Sequence, residues 1–157
     1  MSTKAVVEER RLDMDSDNAT PRPETRVSFR LSAPGLDPDA ITKDIGLTPD
    51  YTHREGDHPR GNPKYAAYKT GMWALDSKLP LEEPLESHVN ALLSTLEPKQ
   101  AYIRAWAEHA EADFYSTIFD MNGCQLSSQT LTRLANLGAG LSITVYSGND
   151  EPKQTRS

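Results

Sequence analysis

A length of 157 residues suits one domain with a single core and no staples, and the lone Cys124 excludes an internal disulfide. The net charge of −6 repels nucleic acid and anionic membrane surfaces, which leaves another protein or a small ligand as the expected partner. No apolar run approaches the ~18 residues of a membrane helix, and the N-terminus lacks the apolar core of a signal peptide, so the expected location is the cytoplasm.

Hydrophobic residues make up only 36% of the chain, but the polar ones gather at the two ends and in one internal stretch, so a normal core remains available. Residues 1–25 mix charges with Ser, Asn and Pro around one short apolar cluster, Ala5-Val6-Val7, a composition that predicts a disordered tail. A single domain is expected over 26–147, with a flexible tail over 148–157.

Within that domain Val27, Phe29 and Leu31 alternate with polar residues and predict a strand over 26–32 with one dry face. Asp37 as N-cap, Pro38 at the first helical position, Ile41 and Ile45 four apart and Gly46 as a stop predict a short helix over 38–45. Thr48 to Gly71 carries Pro49, Pro59, Pro63, Gly56 and Gly61 with almost no apolar period, and predicts a long loop, a feature that tends to be functional or disordered. Met72-Trp73-Ala74-Leu75 predicts a brief strand. Leu85, Val89, Leu92, Leu93 and Leu96 trace the stripe of an amphipathic helix that Pro98 ends, and a further helical stretch is predicted from Gln100 to His109. Phe114, Tyr115, Thr117, Ile118 and Phe119 predict a strand over 113–120, turned by Asn122-Gly123. Ser127 or Ser128 then caps a helix bearing Leu131 and Leu134, and the alternating run from Leu141 to Tyr146 predicts a last strand. This order predicts an α+β domain, a mixed or antiparallel sheet of about four strands with helices packed on one face, ferredoxin-like at the coarsest level.

A set of short sequences lies along this frame: Ala40-Ile41-Thr42 with Ile45-Gly46-Leu47-Thr48-Pro49, Arg54-Glu55-Gly56-Asp57, Gly71-Met72-Trp73-Ala74-Leu75, Leu85-Glu86-Ser87-His88 and Leu126-Ser127. In this order and spacing the chain resembles the bacterial domain-of-unknown-function 4279 family over most of 26–147. The resemblance implies a bacterial cytosolic origin and a small α+β fold, and it implies no reaction and no catalytic residues.

No nucleophile elbow, phosphate loop, HExxH or CxxC occurs in the sequence, so no catalytic residue, metal or cofactor is assigned. The candidate binding residues are Tyr51, His53, Arg54, Asp57, His58 and Arg60 from the loop, with Trp73 beside it. The bland alternative for the loop residues is a solvated segment, and for Trp73 a place in the core. His53, Asp57 and His58 are metal-ligand types, but a proline-rich loop does not preset their geometry. Arg54 with Arg60, Lys64 and Lys69 suits a phosphate or carboxylate, against loop salt bridges as the alternative. His88 and His109 read as flank or cap residues, and Cys124 as a half-buried thiol. The leading functional expectation is a non-catalytic binding protein, of the immunity or antitoxin type that blocks a bacterial effector. The alternatives are a small-molecule or anion-binding domain using loop 49–70, or an unrecognised enzyme. An uncovered edge strand would also offer a pairing surface for a homodimer.

Overall fold

The computed structural model describes residues 23–119 and 123–147. Residues 1–22 of the tail expected over 1–25, the tail expected over 148–157, the last residue of the strand expected over 113–120 and the turn residue Asn122 lie outside the described residues. The elements in chain order are β1 (Glu24–Ala33), α1 (Pro38–Ile45), β2 (Tyr51–His53), β3 (Gly71–Asp76), α2 (Leu85–Leu96), α3 (Gln100–Ala107), β4 (Glu111–Phe119), α4 (Ser128–Leu137) and β5 (Gly140–Tyr146). β1 starts before residue 26, so part of the expected N-terminal tail is strand.

The strands form one open, mixed sheet in the order β2-β3-β1-β4-β5. β1 pairs antiparallel with both β3 and β4, β2 pairs antiparallel with β3, and β5 runs parallel to β4. The count is five where about four strands were expected. The added one is β2, three residues inside the presumed loop, where Tyr51 sits opposite Ala74 and His53 opposite Met72. A three-residue strand holds too few alternations to be seen as a period.

The two-residue period of the strands decides which face is dry. Val27, Phe29 and Leu31 of β1, Trp73 and Leu75 of β3, and Phe114 and Ile118 of β4 are all buried on one side. Phe29 lies opposite Phe114 in register, and its ring meets those of Phe114 and Trp73 edge-on at 5.4 and 6.4 Å, the geometry that aromatic quadrupoles favour. The helices close this face: Ile41 and Ile45 of α1, Leu85, Val89, Leu92, Leu93 and Leu96 of α2, Ile103 of α3, and Leu134 and Leu137 of α4 join the same core. Pro98 falls in a 3₁₀ turn, Glu97–Lys99, which leads directly into α3. There its missing N–H is harmless, because the first residues of a helix have no intrahelical acceptor.

Local signals fix the helix ends. Asp37 accepts a hydrogen bond from the Asp39 N–H, and Gly46, at φ +79°, ends α1 with its N–H on the Thr42 carbonyl. Ser127 caps α4 by accepting from the Thr130 N–H. The other face of the sheet carries the alternate residues, including Arg30, Tyr115 and Ser142, and among the described residues no helix covers it. Among the described residues no helix is long and apolar enough to cross a membrane.

Candidate functional site

Loop 49–70 is tied down rather than free. The Gly56 N–H bonds the Tyr68 carbonyl at 2.9 Å and the Tyr68 N–H bonds the Asp57 carbonyl at 2.8 Å, so the two arms of the loop pair with each other. The Asp57 carboxylate accepts the Arg54 N–H at 2.8 Å, and the turn Pro59–Gly61 is closed by the Gly61 N–H on the His58 carbonyl. Proline and glycine break the apolar period here without preventing order, because the loop's backbone groups find each other.

This closure brings Tyr51, His53, Asp57, His58, Arg60 and Tyr68 around one depression of about 310 Å³. The Tyr51 hydroxyl donates to the Tyr68 hydroxyl at 3.1 Å. It is also in hydrogen-bond contact with His53 Nδ1 at 2.7 Å. The His53 and Tyr68 rings stack at 3.6 Å, within 5° of parallel. Partial burial of the Tyr51 hydroxyl, its bond to Tyr68, and the charges of Tyr68 and Asp57 push its pKa up to about 12, so it is a neutral donor at physiological pH. Burial holds the His53 ring below the usual histidine range, against the opposing pull of the Thr70 carbonyl and the Asp57 charge. His58 Nδ1 donates to the Tyr65 carbonyl at 2.7 Å, which fixes the orientation of the ring.

Two of the sequence-derived candidates do not join this group. Arg54 turns away and grips Asp37 and Asp39 at 2.9 and 2.8 Å, pinning the loop to the start of α1. Trp73 is fully buried on the opposite face of the sheet, its Nε1 donating to Thr42 Oγ1 at 3.0 Å. It is core, because a residue one step along a strand from Met72 must face the other way. Arg60 behaves differently from Arg54. It is exposed, sits in the left-handed region at φ +58°, and makes no ion pair among the described residues. No group of three or more His, Cys, Asp or Glu that could hold a metal ion occurs among the described residues.

Two further polar clusters escaped the sequence reading. Between α2 and α4, Glu86 accepts from the Ser127 N–H at 2.8 Å and from the Thr130 hydroxyl at 2.6 Å. Arg133 donates to Glu97 through two bonds of 2.7 and 2.9 Å and to Asn90 at 2.9 Å. Glu86, Asn90, Thr130 and Arg133 border an open depression of about 660 Å³, but Glu86 is already engaged by Ser127 and Thr130, and Arg133 by Glu97 and Asn90. The hydrogen bonds from Thr130 and Ser127 hold Glu86 below the usual carboxylate range. The spacing Glu86/Asn90 on one helix and Thr130/Arg133 on the other was the available sequence signal.

The second cluster is His88, which is 1% exposed rather than a flank or cap residue. Its Nδ1 lies 2.5 Å from Ser77 Oγ, and its Nε2 is buried without a hydrogen-bond partner among the described residues. Burial pulls its pKa down; the backbone carbonyls of Pro80 and Glu83 and the Glu83 charge oppose that, but neither carbonyl reaches Nε2 in hydrogen-bond geometry. Cys124 is exposed rather than half-buried.

Comparison with curated proteins gives no match, and neither does comparison with solved structures. Comparison with protein families matches residues 23–148 to the family described as Domain of unknown function (DUF4279). That span takes in every strand and helix described above, and the chain belongs to the DUF4279 family.

Proposed function

We propose that this protein is a binding domain that takes a small ligand bearing an anionic group, such as a phosphate or carboxylate, in the depression formed by Tyr51, His53, Asp57, His58, Arg60 and Tyr68. The observation that carries this reading is Arg60. A bulky residue held at positive φ stores about 1 kcal/mol or more of backbone strain, and here it presents a guanidinium without an ion-pair partner among the described residues at the rim of the depression. Guanidinium matches an oxyanion with two parallel donors, the stacked His53 and Tyr68 rings offer a flat apolar wall, and the neutral Tyr51 hydroxyl and His58 Nε2 supply neighbouring polar groups. The test is a thermal-shift panel with inorganic phosphate and phosphorylated sugars and nucleosides. Stabilisation by one class, lost in Arg60→Ala and kept in Lys64→Ala, supports the reading; a flat panel sinks it.

A second reading is a partner-blocking protein of the immunity or antitoxin type, acting on a bacterial effector in the cytoplasm. It is favoured by Tyr51 and Tyr65, 44% and 46% exposed on the same loop, since tyrosine anchors interfaces, and by the charge of −6, which would steer association with a basic target. Nanomolar binding to the product of an adjacent toxin gene is the expected result for this reading.

For the fold, we propose a ferredoxin-like unit made by β1 to β4, extended by β5. Support comes from the order strand, helix, strand, strand, helix pair, strand, with β3 lying between β1 and β2, the split arrangement of such units.

A further inference from the structure

The two edges of the sheet differ. β2 is three residues long and flanked by Asp50, Arg54 and Glu55, so brevity and charge guard it in the usual way. β5 is seven residues, Gly140–Tyr146, with neither a charge nor a proline, and among the described residues nothing pairs with its outer side. Its N–H and C=O groups on that side form an unblocked template for another strand.

The side chains around that edge share the pattern. From Gly123 to Ser147 the only charged residue is Arg133, and it is held by Glu97, in a chain that is 25% charged overall. On β5, Ile143 and Val145 point toward the helix layer, yet they remain 42% and 58% exposed. α4 leads back into β5, so the two run in opposite directions. A rise of about 1.5 Å per helical residue and about 3.3 Å per strand residue puts Leu131 level with Ile143, each about 10 Å from the connecting turn. Leu131 is 49% exposed. The open edge is thus bordered by an uncharged, partly apolar strip.

We infer that this edge is a homodimer interface, in which β5 pairs antiparallel with β5 of a second copy and the two sheets become one. Charge selects the occupant. Two chains each carrying −6 repel over most of their surfaces, and a stretch without charge is where they approach at least cost. Two-fold pairing places each patch against itself. β5 meets that condition, because its Thr, Ser, Ile and Val side chains are acceptable cross-strand partners for one another and no like charges are opposed. Ile143, Val145 and Leu131 of the two copies would then cover each other, as interface cores depleted of charge do.

Sedimentation velocity over a series of protein concentrations tests this. The full chain is expected to sediment as a dimer that dissociates on dilution, and Val145→Lys and Ile143→Lys, both at exposed positions, are expected to be monomeric with unchanged circular dichroism. Hydrogen exchange on the unmodified chain provides a readout independent of those variants: alternate β5 amides should gain protection as concentration rises. A monomer at every concentration, a dimer that survives both lysine substitutions, or β5 exchange independent of concentration would each overturn the inference. Arg60→Ala should leave the dimer intact, so loss of ligand binding and loss of association are separable.

Discussion

Arg30 of β1 and Asp113 of β4 are directly opposed in the sheet and meet through two parallel hydrogen bonds of 3.0 Å, while the Arg30 guanidinium lies 4.2 Å from the centre of the Tyr115 ring. Ser142 of β5 donates to the same carboxylate at 2.9 Å. The face of the sheet away from the helices is therefore cross-linked over β1, β4 and β5 by one polar cluster, and the side chains of Arg30 and Asp113 are only 29% and 16% exposed.

Removing one partner of that pair tests its worth. Asp113→Ala should destabilise the domain by about 1 to 2 kcal/mol, since it strands a partly buried guanidinium and the Ser142 hydroxyl. A double-mutant cycle with Arg30→Ala, read from urea midpoints, should return a coupling of about 1 kcal/mol. Strict additivity would show that the pair is ornamental.

Trp73 provides a sharp division between core and site. Trp73→Phe removes the bond to Thr42 and part of the ring volume, and should cost about 2 kcal/mol while leaving ligand response at the Arg60 depression intact. A binding defect without a stability defect would return Trp73 to the site.

Gly71 sits where loop 49–70 enters β3. A Cβ there would come within 2.6 Å of the Leu36 carbonyl oxygen, a backbone atom that cannot rotate away. Gly71→Ala is therefore expected to cost about 1 to 3 kcal/mol by overpacking, and urea denaturation would measure it. A neutral effect would show that the turn at Leu36 yields freely.

Arg60 at φ +58° predicts a trade-off. Arg60→Gly relieves the left-handed strain at some cost in unfolded-state entropy, leaving the domain about as stable or up to about 1 kcal/mol more so, with ligand response lost. A marked loss of stability would mean that the side chain holds the loop together, against its role at the rim.

Acid sensitivity follows from His88. Its folded pKa lies below the ordinary 6.5, so the unfolded chain binds the proton more readily. Stability is full above about pH 6.5 and falls as pH drops from there toward the folded pKa. His53 is shifted the same way and contributes in the same window. The lowered carboxylates Asp50, Glu86 and Glu97 act only at lower pH, where protonation removes their contribution. Urea midpoints between pH 7.5 and 5.5 should decline in the parent chain and decline less in His88→Gln and in His53→Gln. An identical slope in both variants would place the acid sensitivity elsewhere.

The sequence by itself determined the elements whose signals are local. The alternation of Val27, Phe29 and Leu31, the stripe from Leu85 to Leu96, the Asp37 cap and the Gly46 stop each depend on neighbours a few residues away, and the helix over 38–45 came out residue for residue. Three residues of β2 carried no readable period, and pairing to β3 alone made them a strand. The tertiary structure also decided which loop residues form a site. Arg54 and Arg60 look equivalent in sequence, yet Asp37 and Asp39, fifteen or more positions upstream, claim one and leave the other exposed at the depression's rim. The same holds for Trp73 and His88, whose burial depends on which sheet face the helices cover. Contacts between residues far apart in the chain leave no periodic trace in a single sequence, so a side chain's partner becomes visible only once the fold has brought it there.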